Sequence, residues 1–306
     1  MKRTVSIATA YFLAIATFLP TPLQAADAPS CPLTLYTSLP LTTNPDGRVS
    51  VPVTVQDKNY SFLVDTGGAV ATIGWDQAEE LGLEKKRAGT WLGGVGGRVM
   101  NTYITTDRFS LGKLTGSGLE AYVQPRSMDG FDGTLAPDML KHYDVDLDFA
   151  HGKMNLFSQD HCPGKVLYWT KGDYVVLPMQ VAPSSHIRLP VTVDGKTIMA
   201  IVDTGAVSSI MSMHAANFLG VSEDSPGLKL KTSEGYDRQT RIYSYPFKTL
   251  QMGDITVKNP RITVASNEFM GAVGNDMILG MGILRQLHLY IAYKEQKFYI
   301  TPAGAN

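Results

Sequence analysis

The 306-residue sequence holds only two cysteines, Cys31 and Cys162. That is too few for a four-thiolate zinc cage or for a small scaffold stapled by several disulfides. Its six histidines, His142, His151, His161, His186, His214 and His288, are scattered and never form the His-Glu-x-x-His of a zinc peptidase. Neither sign of charge is in excess: 27 Lys and Arg stand against 28 Asp and Glu, a net charge of −1. Phosphate binding needs clustered cation, so no nucleic-acid partner is expected. A Gly-x-Ser-x-Gly elbow is missing, and Gly94-Val-Gly96 begins a dinucleotide fingerprint that fails at Val99. No cofactor and no metal are expected. After residue 19 no apolar run approaches the ~20 residues that span a bilayer.

What is present starts with an address. Met1-Lys2-Arg3 is cationic, the next 15 residues to Leu19 are apolar, and Pro20 and Pro22 break the run before the small residues Ala25, Ala26 and Ala28. This pattern predicts a secretory signal peptide over residues 1–26, cut between Ala25 and Ala28. The protein is then periplasmic or secreted, with no stable membrane insertion. In an oxidising compartment Cys31 and Cys162 are expected to form one disulfide, with two free thiols as the alternative.

The chain also repeats itself. Residues 51–83 align without a gap on 189–221, an offset of 138, with 12 of 33 positions identical. Further on, Phe109-Ser-Leu-Gly112 answers Leu250-Gln-Met-Gly253, and Leu135-Ala-Pro-Asp-Met-Leu140 answers Leu279-Gly-Met-Gly-Ile-Leu284. Two units of this size predict two similar lobes rather than a solenoid. The period is mostly two: Val49, Val51, Val53 and Val55 in the first unit, Ile187, Leu189, Val191 and Val193 in the second. Asp194-Gly195 is a hairpin turn, replaced in the first unit by Gln56-Asp-Lys-Asn59. Short helices are predicted over Trp75–Leu81 and Met213–Leu219, stopped by Gly82 and Gly220. The expected organisation is mainly β: an N-terminal lobe at 27–160, a linker at 161–173 and a C-terminal lobe at 174–306.

The candidate chemistry sits at the end of an apolar strand in each unit. Leu63-Val64-Asp65-Thr66-Gly67 recurs as Ile201-Val202-Asp203-Thr204-Gly205. One Asp-Thr-Gly is a strand end followed by a turn. Two, at equivalent places in a duplicated β unit, would bring a pair of partly desolvated carboxylates face to face. Like charges that close cannot both ionise, so the pair would share a proton. One carboxylate could then draw a proton from water while the other donates to a carbonyl oxygen.

On these motifs the sequence resembles the pepsin/retropepsin superfamily of aspartic peptidases, and most of all bacterial secreted retropepsin-like proteins with two fused units. The resemblance covers nearly all of residues 49–303 and includes Ile278-Leu279-Gly280. It implies a bilobal acid-protease fold: two β-barrel-like lobes with short helices and a central active-site cleft. Asp65 and Asp203 would be the catalytic dyad acting on a polypeptide substrate. Thr66 and Thr204 would bond across the interface, and the backbone of Gly67 and Gly205 would hold the carboxylates. A substrate flap would include Gly94, Val95, Gly96 and Gly97, with a second near Thr232–Tyr236. One chain would complete the site, so a monomer is expected.

The sequence departs from that pattern in two respects. Leu135-Ala136-Pro137 stands where apolar-apolar-Gly is expected, and Gly68 and Ala206 follow the turns where pepsin-like enzymes carry a hydroxyl. Without that hydroxyl the optimum should be less acidic than pepsin's. The alternative function is a catalytically silent peptide-binding or scaffold module of the same fold.

Overall fold

A computed structural model describes residues 31–93, 99–124, 130–231, 241–266 and 276–305. Both repeats lie within one compact unit, Pro32–Asn306. Cys31 and Cys162, the only cysteines, are both disulfide-bonded, so the expected bond is formed.

Among the described residues, each repeat folds into its own sheet of ten strands. The first begins with the antiparallel hairpin Val49–Val55 and Lys58–Val64, the second with Ile187–Val193 and Lys196–Val202. Alternate residues of these strands are buried, as the period of two requires. Both turns place two successive residues in the left-handed region: Gln56 and Asp57 at φ 48° and 70°, Asp194 and Gly195 at φ 45° and 86°. That is the two-residue turn whose twist matches a hairpin. Asp57 thus adopts the conformation for which the second unit uses glycine.

The returning strand of each hairpin then pairs in parallel with a short strand from much later in its repeat. Val64 faces Leu135 in the first lobe and Val202 faces Leu279 in the second. These pairings bury the strand ends on both sides and fix where Asp65 and Asp203 emerge. The helices are short, as read from the sequence: Trp75–Glu80 and Met213–Leu219. Ser212 caps the second by accepting the Ala215 N–H, and Gly220 ends it at φ 94°.

A six-stranded sheet joins the lobes. Its order is Leu35–Pro40, Lys153–Phe157, Asp144–Asp148, Leu287–Ala292, Lys297–Pro302 and Val175–Pro178. The seam lies between Asp144–Asp148 of the first repeat and Leu287–Ala292 of the second, with Leu147 opposite Leu289. One face carries Val145, Leu147, Met154, Leu156, Leu289, Ile291 and Ile300 into a core continuous with both lobes. The other carries Asp144, Asp146, Asn155, His288 and Tyr290, a polar face that would be costly to bury unpaired. It is paired except at Asp144 Oδ1, which is buried without a hydrogen-bond partner. Asp146 accepts from Asn155 and Tyr168 (2.7 Å each) and meets His288 at 2.5 Å, while Trp169 stacks on His288 at 4.6 Å. Residues 166–169 thus cover the outer face of the interlobe sheet.

Candidate active site

Asp65 and Asp203 are the first residues beyond the buried strand ends Val64 and Val202. Each is pinned from below, because its N–H donates at 3.0 Å to the carbonyl of Leu135 or Leu279 in the adjoining parallel strand. The chain then turns sharply and points backbone donors at the carboxylate. Asp65 Oδ1 accepts from Gly67 N–H (3.1 Å) and Gly68 N–H (2.8 Å). Asp203 Oδ1 accepts from Gly205 N–H (2.8 Å) and Ala206 N–H (2.9 Å). The two carboxyl side chains hydrogen-bond to each other.

The glycines have a steric reason to be there. A Cβ on Gly67 would fall on the Asp203 carboxyl, and one on Gly205 would fall on that of Asp65. Each lobe's glycine therefore makes room for the other lobe's acid. No side chain larger than hydrogen is compatible with this approach.

The threonines lock the two turns together. Thr66 Oγ1 donates to Val202 O (2.7 Å) and accepts from Thr204 N–H (3.1 Å). Reciprocally, Thr204 Oγ1 donates to Val64 O (2.6 Å) and accepts from Thr66 N–H (3.1 Å). Both threonines are fully buried, so four backbone groups at the seam are satisfied by two hydroxyls. Sequence reading placed all six of these residues together, and the structure does so. The flap residues Gly94, Val95, Gly96 and Gly97, and the second flap at 232–236, lie outside the described residues. The strands leading to the first flap, Lys86–Gly93 and Val99–Thr106, do form an antiparallel pair.

Burial dominates the electrostatics. It raises the Asp65 carboxyl, against the Gly68 and Gly67 N–H groups, the bond with Asp203 and the charge of Arg48. It also raises Asp203, to about 8, with the Asp65 charge adding to burial against the Ala206 and Gly205 N–H groups. Both acids are thus raised by burial beside each other, the condition under which two carboxyls share one proton.

Several supporting residues were not read from the sequence. Asp132 Oδ2 accepts the Ser61 N–H (2.7 Å), and Asp276 Oδ2 accepts the Met199 N–H (3.1 Å), bracing the strands that end at the two acids. Asp138 Oδ2 accepts the Ala71 N–H at 2.9 Å beyond the first turn. Carrying the repeat alignment past its well-matched part would have shown the first pair, since Asp132 and Asp276 keep the spacing of Leu135 and Leu279. Arg48 and His186 are equivalent positions at the offset of 138. Among the described residues no three His, Cys, Asp or Glu side chains converge as metal ligands, and no helix is long and apolar enough to cross a membrane.

This geometry, two acids on reciprocal turns at the seam of two similar lobes, meets the comparisons at the same places. Residues 51–138 match the family described as "Aspartyl protease", and residues 189–286 match "gag-polyprotein putative aspartyl protease". Each match falls on one lobe and contains one Asp-Thr-Gly. Among solved structures the chain is similar to the aspartic proteinase from Irpex lacteus, at 16% identity and a TM-score of 0.54. That alignment covers 88% of this chain and 97% of that one. No curated protein sequence matches. The fold is that of the bilobal aspartic proteases. With both lobes matched to aspartyl protease families, it supports assigning the chain to the pepsin/retropepsin-like aspartic peptidases.

Proposed function

We propose that the protein is an aspartic endopeptidase whose catalytic groups are Asp65 and Asp203. The observation that carries this is a pair of carboxyls brought together on reciprocal, threonine-locked turns at the seam of two similar lobes. At near-neutral pH Asp65 is the ionised partner and Asp203 the protonated one. A water bound between them loses a proton to Asp65 as its oxygen attacks the scissile carbonyl carbon. Asp203 gives its proton to the carbonyl oxygen, so the tetrahedral intermediate is neutral. Collapse returns a proton to Asp203, and the proton on Asp65 passes to the departing amine nitrogen. No covalent acyl-enzyme forms and both acids end as they began.

The reciprocal threonine bonds hold the two acid-bearing turns together, a positioning role. One chain supplies both acids, so no second copy is required. Acting outside the cytoplasm is part of the same proposal, and the disulfide of Cys31 and Cys162 supports it, since such bonds persist in oxidising compartments.

The test is cleavage of a diverse peptide mixture by the mature protein from pH 3 to 8, read by mass spectrometry beside Asp65→Asn and Asp203→Asn. Cuts made by wild type and lost in both variants are expected. Folded wild type that cuts nothing at any pH would contradict the proposal and favour the peptide-binding module.

A further inference from the structure

Strand register lays a row of four residues across each lobe, just behind its acid. In the first lobe Ser50 faces Leu63, Leu63 faces Thr134 and Thr134 faces Thr72. In the second, Arg188 faces Ile201, Ile201 faces Ile278 and Ile278 faces Ile210. The neighbours of these residues along the strands, Phe62 and Val64 or Ile187 and Leu189 among them, belong to the core. Side chains alternate along a strand, so both rows occupy the face turned away from each lobe's core. Asp65 and Asp203 follow two residues beyond Leu63 and Ile201. In the second lobe the row reaches the acid-bearing turn: Ile210 and Ile278 pack with Ala265 against Ala206, whose N–H donates to Asp203 Oδ1 at 2.9 Å.

The rows share a geometry and differ in chemistry. The first is polar and closed on itself. The hydroxyls of Thr72 and Thr134 meet at 2.7 Å, Gln124 Nε2 donates to Thr72 Oγ1 at 3.2 Å, and Ser61 Oγ donates to Ser50 Oγ at 2.9 Å. The second is aliphatic over three strands and ends in a cation, because Arg188 stands where the first lobe has Ser50. Among the described residues the arginines in ion pairs are Arg48, Arg108 and Arg241. Arg188 is not one of them, and its Nε is buried with no hydrogen-bond partner. A guanidinium presents a planar fork of donors that matches a carboxylate, and leaving a buried donor unmade is costly. An open donor of this kind beside the acids marks a place for an acceptor from outside the chain.

We propose that the second-lobe row is a specificity subsite for an acidic substrate side chain, with Arg188 pairing its carboxylate and Ile201 and Ile278 walling its stem. This rests on the reading of Asp65 and Asp203 as the catalytic pair and adds the class of substrate. Arg188 lies one strand across from Ile201, and Ile201 lies two residues back from Asp203. Strand spacing and rise put the Arg188 and Asp203 Cα atoms roughly 8 Å apart. An extended peptide advances about 3.4 Å per residue, so the guanidinium reaches side chains within about two or three residues of the bond that is cut. The aliphatic walls exclude water and strengthen the ion pair. Selection is one-sided, because the hydroxyls of the first-lobe row are engaged with one another and offer no charge.

The experiment profiles cleavage of a diverse peptide mixture at pH 6 by wild type, Arg188→Gln and Arg188→Glu, with thermal melts as controls. In parallel, statine-type analogues that differ only in Glu or Gln at the selected position are titrated into each protein by calorimetry. Wild type should favour Glu over Gln by about tenfold in kcat/KM and in affinity, the effect of one charge-assisted hydrogen bond. Arg188→Gln should erase the preference, and Arg188→Glu should move it to Lys or Arg at the same position. Cuts by wild type with no acidic preference would overturn the subsite and leave the dyad standing, as would a preference that survives in folded Arg188→Gln. Wild type that cuts nothing yet binds the Glu analogue about tenfold tighter would count against the dyad and support the subsite. Neither cutting nor preferential binding would overturn both.

Discussion

Gly68 faces Ala136: a Cβ on Gly68 would lie 3.4 Å from the Ala136 Cβ and 3.0 Å from Asp65 Oδ2. In the second lobe the pair is reversed, with Ala206 after the turn and Gly280 beneath it. There Met281 N–H donates to Ala206 O at 2.8 Å and draws the helix start against the turn. A Cβ on Gly280 would sit 2.5 Å from Ser208 O and 2.8 Å from Ala206 O. In the first lobe Pro137 takes the place of Met281 and has no N–H to make that bond. That restraint is missing, and a buried Ala136 occupies the place of Gly280. The departure from apolar-apolar-Gly is therefore a local exchange that leaves the support of Asp65 intact.

This exchange makes the two positions unequal to mutation. Ala136→Gly should cost about 1 kcal/mol or less, whereas Gly280→Ala, forced against backbone carbonyls, should cost about 2–4 kcal/mol. Urea unfolding of the two variants measures the difference, and equal costs would refute the packing account.

The threonine lock can be cut without removing an acid. Thr204→Val strands the buried Val64 carbonyl and Thr66 N–H, at roughly 1–3 kcal/mol for each unsatisfied group. Cleavage should be nearly lost, because the carboxyls are no longer held in common. Thr204→Ser keeps the hydroxyl and should retain most activity and stability. Unfolding curves and initial rates on one peptide check both.

Stability should depend on pH through Asp203. Its carboxyl is raised in the fold to about 8, so the fold binds a proton that the unfolded chain releases near pH 4. Stability is then greatest below the unfolded value and declines as pH rises toward 8. Asp203→Asn cannot titrate and should be more stable than wild type at pH 7 by on the order of 1–3 kcal/mol, with the gain vanishing near pH 4. Thermal melts across that range give the answer. A variant less stable at pH 7 would mean that Asp203 is not held protonated.

Across the lobe seam, Asp146 is bonded by Asn155, Tyr168 and His288 and is fully buried. Asp146→Ala leaves a buried histidine and two polar groups without their partner, and should cost about 3–5 kcal/mol. Activity per folded molecule should change little, since the inner apolar face still carries the turns. Calorimetry together with specific activity separates the two effects.

Much of this was legible in the sequence because it is local or repeated. The period of two gave the hairpins, Gly220 gave a helix end, and the doubled Asp-Thr-Gly gave the site. Repetition made a weak motif informative. The interlobe sheet was not legible, because its six strands come from four separate stretches of the chain, and the pairing of those stretches has no local signal. Nor was the role of residues 166–169, which read as a connection and instead cover a polar sheet face. Ala136-Pro137 read as a defect because composition does not reveal that the proline removes the hydrogen bond requiring glycine.

The central claim is that Asp65 and Asp203 form one proton-sharing pair. The most direct measurement is the affinity of a statine-type peptide analogue, whose hydroxyl takes the place of the attacking water, by calorimetry at pH 5 and pH 7 for wild type, Asp65→Asn and Asp203→Asn. Tight binding to wild type, weakened at least a hundredfold in both variants, is the expected result. That threshold corresponds to about 2.7 kcal/mol of lost binding energy. Binding that survives in either variant would show that the two carboxyls do not act as a unit.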